Sequence, residues 1–240
     1  VSLPPGERPE PEDADVPGDD LPVTRTALAY AQIRRDILSN AFEPGSRITI
    51  QFLQRRYDIG PTPLREALAR LAAVGFVIGE DNRGFRVPRM SLTALRDITD
   101  QRKLVEAQGL KLSIERGERA FRSDLKETFR QLEVFNQARS KDDLNGFLAW
   151  EALHRRFHAA LISGSGSEWL IRFQSILFDQ ADRYRRTYSS CRMKPDIEQD
   201  HRRIMEAALD ADAPMAVLLL ERHIERVYAT AEASGRLPDV

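Results

Sequence analysis

Apolar residues in the first third of the chain recur at helical spacing in three short runs separated by turn signals. Tyr30, Ile33 and Ile37 share one face of a helix that starts near Thr26 and stops at Asn40, ahead of the turn at Pro44-Gly45. Phe52, Leu53 and Tyr57 mark a second short helix, which Thr49 can cap with its hydroxyl. After the tight turn Asp58-Ile59-Gly60, the residues Leu64, Leu68 and Leu71 mark a third helix that runs to Gly75. It begins near Gly60-Pro61 or Thr62-Pro63, and both prolines fall in its first turn, where backbone N–H groups have no helical partner to lose. The runs Phe76-Val77-Ile78 and Phe85-Arg86-Val87 flank the turn 80–84 and predict two short strands around a basic tip. Three helices followed by a hairpin make a winged helix-turn-helix over residues 25–90.

From Ser91 onward the pattern is helical nearly throughout. Leu95, Ile98, Arg102, Val105 and Glu106 form one broad stripe of the first helix, and further helices are predicted over 122–139, 142–163, 167–190, 195–210 and 213–232. Their breaks fall at Ser140-Lys141, Gly164-Ser165-Gly166, Pro195 and Pro214. The predicted fold is therefore mainly α, a winged helix-turn-helix followed by an all-helical antiparallel bundle over 91–235.

Charge separates these regions. The net charge of the whole chain is -1, yet residues 25–90 hold eleven arginines, no lysine and six acids. All the excess positive charge lies in that segment, as contact with a phosphate backbone requires. Residues 1–24 carry seven acids against the single base Arg8, with too little apolar surface to offset the entropy of ordering, and read as a disordered acidic tail. One cysteine, Cys191, excludes an intrachain disulfide framework. With no apolar run long enough to span a membrane and no signal-peptide pattern, the chain reads as soluble and cytoplasmic.

The candidate chemistry lies in the histidines. There are four, His154, His158, His201 and His223, and each falls on the apolar stripe of a predicted helix. His154 and His158 are one turn apart on the stripe Phe147, Glu151, His154, His158, Leu161. His201 lies on the stripe Ile197, His201, Ile204, Ala208, and His223 on Ala216, Leu219, His223, Val227. Three helices thus aim four imidazoles, and one carboxylate at most, at a common interior. A lone buried histidine is usually satisfied by a polar neighbour, but four such residues point to a divalent metal. Arg102, also on an inward stripe, needs an anionic partner: either Glu106 one turn later, or a carboxylate ligand bound bidentately. Glu151, Gln180, Arg183 and Tyr184 could line the same cavity.

The string Gly60-Pro-Thr-Pro-Leu-Arg-Glu-Ala-Leu68, with Asn82-Arg-Gly-Phe-Arg-Val87 after it, resembles the DNA-binding domain of GntR-like bacterial regulators. The following region resembles the FCD ligand-binding domain of the FadR subfamily, and its CsiR-like members most closely. The usual Asp-x-x-Phe-His of that family stands here as His154-Arg-Arg-Phe-His158, so His154 replaces an aspartate ligand, while His201 and His223 match two further ligand positions. An imidazole in place of a carboxylate makes the site less negative and favours zinc or nickel over magnesium or manganese. The family's usual Ser-Arg is Gly60-Pro61 in this chain, and its arginine on the second helix is Gln51.

The resemblance implies a metabolite-responsive regulator, with no enzymatic activity, that binds a palindromic double-stranded operator as a homodimer. The implied DNA contacts are Gln51, Thr62, Arg65, Arg83 and Gly84, with Arg65 suited to a guanine edge and Thr62 to a phosphate. The implied effector is a small carboxylate, glutarate or a related dicarboxylate, held by the metal and Arg102. Two other readings stay open: a metalloenzyme with a helix-turn-helix appendage, using Glu151 as general base, and direct sensing of the metal ion. Four imidazoles fill a tetrahedral shell, which weighs against zinc hydrolysis.

Overall fold

The structure is a computed structural model whose described residues are 24–80, 84–138, 144–188 and 195–239, with side chains at 138, 144–148, 187–188 and 195–196 left aside. The predicted acidic tail up to residue 23, the wing tip with Arg83, the side chain of Phe147 and Cys191 lie outside them.

Helix α1 (Arg25–Leu38) is capped by Thr24, whose hydroxyl accepts from Ala27 N, and it buries Ala29, Ile33 and Ile37. Asn40, at φ 56°, turns the chain beyond it. A two-residue strand, β1 (Arg47–Ile48), leads to α2 (Ile50–Tyr57), where Thr49 caps Phe52 N at 3.2 Å as its position predicts. Helix α3 (Pro61–Ala73) opens with proline in its first turn and buries Leu64, Ala67, Leu68 and Leu71 against α1. Strands β2 (Ile78–Glu80) and β3 (Gly84–Arg86) follow, and the sheet order is β1-β3-β2, antiparallel.

Two features of the small sheet differ from the sequence expectation. Strand β2 starts two residues later than expected because Phe76 and Val77 are both 1% exposed and fill the core under α1 and α3 instead of pairing. β3 pairs on both edges, Ile48 facing Phe85 on one side and Gly79 facing Phe85 on the other. Gly84 sits at φ 90°, and a Cβ there would lie 3.3 Å from the carbonyl oxygen of Ile48.

The second core belongs to α4 (Leu92–Arg116), α5 (Arg119–Ala138), α6 (Leu144–Ser163), α7 (Glu168–Tyr188), α8 (Pro195–Leu209) and α9 (Ala213–Ser234). Ser91 caps α4 through Ala94 N, Gly117 ends it at φ 59°, and Asp212 caps α9 through Met215 N. Leu110, Leu125, Phe157, Leu161, Ile204 and Leu220 make the centre of this core. Helix α4 also carries a polar interior stripe of Thr99, Arg102, Glu106 and Ser113. A third apolar cluster, Met90, Leu95, Tyr184, Ala231 and Leu237, sits where the two cores meet. There the chain beyond α9 returns to α4, and the carbonyls of Pro238 and Asp239 accept from Leu92 N and Thr93 N. Among the described residues no helix is long and apolar enough to cross a membrane.

Candidate metal centre and DNA-facing surface

Helices α6, α8 and α9 bring the four histidines together. His154 and His158 come from successive turns of α6, His201 from α8 and His223 from α9, and one ring nitrogen of each lies within 4.8 Å of the others. His201 Nε2 and His223 Nε2 are 3.2 Å apart. All four side chains are buried, His158 and His201 completely. Trp150 stacks on His154 at a centroid distance of 4.5 Å, and Phe157 and Phe178 enclose the rings from either side.

Carboxylates stand behind two of the rings. His158 Nδ1 is 3.4 Å from Glu106 Oε2, which turns its Nε2, a buried atom with no hydrogen-bond partner among the described residues, toward the other histidines. His223 Nδ1 is 3.5 Å from Asp200 Oδ2, and Arg226 holds that carboxylate at 3.0 Å. A carboxylate behind an imidazole fixes the ring's tautomer and raises its basicity toward an ion. Burial pushes His158 down to about 4 despite Glu106, and burial with the neighbouring charges holds His154 and His201 well below the ordinary imidazole range. His223 is lowered for the same first reason, with Asp200 opposing. All four rings are therefore neutral near pH 7, the state in which imidazole binds metal.

The donor set fits a divalent ion. Nitrogens bound at about 2.1 Å lie about 3.4 Å apart around a tetrahedral ion. The 3.2 Å pair already has that spacing, and the widest separation, up to 4.8 Å, needs to contract by about 1.4 Å to close. Buried nitrogens on His154 and His158 that find no partner supply the drive for it.

Arg102 is placed as both of its readings required. Its Nε donates to Glu106 Oε1 at 2.7 Å, and its guanidinium lies 4.9 Å from the Phe178 ring on the wall of a cavity that His154, His158 and His223 also line. Burial opposes ionisation of Glu106, but Arg102 and His158 outweigh it and hold the carboxyl at about 2. The cavity measures about 20 Å³, room for about one water molecule.

The other expected lining residues lie elsewhere. Glu151 does not join the histidines: Arg185 Nη2 donates to it at 3.1 Å and Arg186 Nε at 2.8 Å, so its charge is taken from α7. Gln180, Arg183 and Tyr184 face away from the cavity. Gln180 donates to Val74 O, Arg183 to Pro88 O, and Tyr184 packs among Met90, Leu95 and Leu237. The α7 residues that do line the cavity are Phe178, Ala181, Asp182 and Arg185. Sequence reasoning missed Asp182 and Arg185; Arg185 lies about 200° around α7 from Arg183.

On the N-terminal unit, Gln51, Thr62, Arg65 and Gly84 are all exposed. Arg65 has no ion-pair partner among the described residues, whereas its neighbour Glu66 accepts from Thr26 at 3.0 Å and from Arg70 at 2.6 Å, tying α3 to α1. Arg55 on α2, not singled out from sequence, is equally exposed. Arg56 beside it is committed to the buried Asp36, which also accepts from Tyr57 at 2.8 Å.

Comparison with known proteins gives this arrangement its family. Residues 17–87 match the bacterial regulatory proteins of the gntR family, and residues 97–226 match the FCD domain. The chain belongs to the GntR family of FCD-containing regulators. It is 33% identical over 209 residues to the uncharacterised HTH-type transcriptional regulator BphR of Paraburkholderia xenovorans (strain LB400), covering 87% of this chain and 85% of that one. It is 32% identical over 209 residues to the HTH-type transcriptional repressor GlaR of Escherichia coli (strain K12), covering 84% and 94%. Among solved structures, E. coli McbR/YncC matches with a TM-score of 0.71 at 20% identity, over 88% of this chain and 98% of that one. A GntR regulator from Rhodococcus sp. RHA1 also gives 0.71, at 19% identity, over 88% and 99%. These two share the fold. The family and its relatives are transcriptional regulators and not enzymes, so the metalloenzyme reading is not favoured.

Proposed function

We propose that this GntR-family protein is a cytoplasmic repressor that binds a palindromic operator as a homodimer and releases it when a small carboxylate binds beside a metal ion. In this reading residues 25–90 contact DNA and residues 91–235 sense and dimerise. One observation carries it: four neutral, buried imidazoles converge beside a cavity walled by Arg102 and Arg185. Four neutral ligands leave a divalent ion its full charge, so an anionic carboxylate is its natural further partner, with the Arg102 fork on the second oxygen. Zinc or nickel suits four imidazoles, and the resemblance to CsiR-like regulators makes a dicarboxylate of five carbons the first choice of effector. Such a molecule is several times larger than the cavity, so its entry requires Arg185 or a neighbouring side chain to move. The similarity to GlaR, a transcriptional repressor, supports repression as the mode of action.

On the DNA side, Arg65 is assigned to a base edge, Thr62 to a phosphate at the start of α3, Gln51 to the groove from α2, and Arg83 with Gly84 to the wing contact. The test is a titration of protein without a histidine tag, on DNA from its own upstream region, with zinc, nickel and a panel of small carboxylates added separately. Release by a carboxylate that vanishes on chelation supports the proposal, and operator affinity indifferent to every addition refutes it. The small cavity favours one second reading, in which the ion itself is the effector. Release by metal alone would establish that reading.

A further inference from the structure

One stretch of α7 carries two opposed sets of contacts. Phe178, Asp182 and Arg185 face the cavity beside the histidines. Interleaved with them, Asp179, Gln180 and Arg183 reach three separate parts of the N-terminal unit. Asp179 Oδ2 accepts from Arg34 of α1, at 3.1 Å from Nε and 2.5 Å from Nη2. Its other oxygen pairs with Arg155 of α6, the residue that follows His154. Gln180 Nε2 donates at 2.8 Å to the carbonyl of Val74, the residue that ends α3. Arg183 Nη2 donates at 3.2 Å to Pro88 O, in the segment joining β3 to α4.

These contacts are built and not incidental. Asp179 is 7% exposed and Arg183 2%, and the Gln180 bond to the backbone of Val74 is part-buried and spans 106 residues of sequence. A helix with hydrogen-bonded turns moves as a rigid piece, so a displacement imposed on its cavity face is delivered to its other face. Asp179 adds a second route, because the same carboxylate receives an arginine from the histidine-bearing helix α6 and one from α1.

We propose that Asp179, Gln180 and Arg183 are positioning residues that transmit occupancy of the histidine cavity to α3 and to the joint before α4. The inference rests on the reading of that cavity as a ligand site, and its test separates the two. Hydrogen exchange is measured on the full chain, with and without zinc, for the wild type and for Arg34→Ala/Gln180→Ala/Arg183→Met. None of the substituted residues lines the cavity, so zinc binding is retained. Without zinc, amides of 70–74 and 87–91 should exchange at least about threefold faster in the variant. Zinc should slow those amides in the wild type and leave them unchanged in the variant, while protecting α6, α8 and α9 in both. Equal exchange at 70–74 and 87–91 in the two proteins, or a zinc response at α3 that survives in the variant, overturns the proposal. Zinc without effect on α6, α8 and α9 of the wild type would defeat the metal reading alone, and the zinc-free comparison would still decide transmission. If that variant does not fold, Arg34→Ala/Gln180→Ala carries the comparison at 70–74 alone.

Discussion

Glu106→Gln tests how the buried charge pair and the metal site depend on each other. Glu106 is fully buried, accepts from Arg102 Nε at 2.7 Å with one oxygen and faces His158 Nδ1 at 3.4 Å with the other. An amide presents an acceptor at one end and donors at the other, so it cannot accept from both of those neighbours. With its oxygen toward His158 it presents N–H groups to a buried guanidinium. With its oxygen toward Arg102 it donates to His158 Nδ1 and forces the proton onto Nε2, the atom aimed at the other histidines. Removing one partner of a buried ion pair costs about 3–5 kcal/mol, and the Phe178 ring over Arg102 places this case near the lower figure. In a chain of this length about 3 kcal/mol lowers the melting temperature by roughly 6–12 °C. Loss of a carboxylate behind a ligating imidazole weakens metal binding about 10–100-fold. Zinc affinity measured against a chromogenic chelator, with thermal melts of the metal-free and zinc-bound protein, reads both effects. Arg102→Met/Glu106→Gln should recover much of each, because the amide oxygen is then free to accept from His158. Glu106→Gln with zinc affinity within about twofold of wild type and an unshifted melt would refute the reasoning.

Protein purified without a histidine tag should contain close to one divalent ion per chain, and His201→Ala should lower occupancy and melting temperature together, as read by elemental analysis and calorimetry. The metal-free protein should lose stability as pH falls from about 6.5 toward 4, because the unfolded chain binds protons there that His158, held near 4 when folded, refuses; the loss from this ring alone is about 3 kcal/mol, and melts at stepped pH that stay flat across the window would contradict it. Glu106 extends the loss in the same direction below pH 4.5, since its folded carboxyl titrates at about 2. Arg65→Ala should cost about 1–3 kcal/mol in specific binding and relax preference at one base position, whereas Arg55→Ala should weaken all sequences evenly and reduce the salt slope by about one. Gly84→Ala should strain the wing by about 1–3 kcal/mol, visible as early melting of the N-terminal unit, because alanine at φ 90° also crowds Ile48 O.

What sequence could reveal followed from local rules. Thr49 and Ser91 cap the helices they precede, and the one-turn spacing of His154 and His158 puts both rings on one face. β1 was illegible because two residues show no period, and its pairing with β3 is made across the chain. The α7 assignments went astray for a geometric reason. A helix wedged between two layers is buried on both sides, so burial cannot say which side meets the cavity. Arg183 and Arg185, about 200° apart on the helix, therefore read alike in sequence but point in opposite directions. Glu151 was misplaced because its partners Arg185 and Arg186 lie 34 and 35 residues further on, beyond any local pattern.

The sequence separation of the four histidines gives the site a mechanical meaning. An ion held there would join points of the chain that are roughly 40 residues apart between α6 and α8, a span for which a covalent cross-link restricts the unfolded chain by about 3–4 kcal/mol. His201 and His223, 22 residues apart, would close a second, smaller loop. The metal would then work as a reversible staple across the bundle, removable by a chelator as a disulfide is by a reductant. Loss of the ion would relax α6, α8 and α9 at once, and with them the surface on which α7 rests.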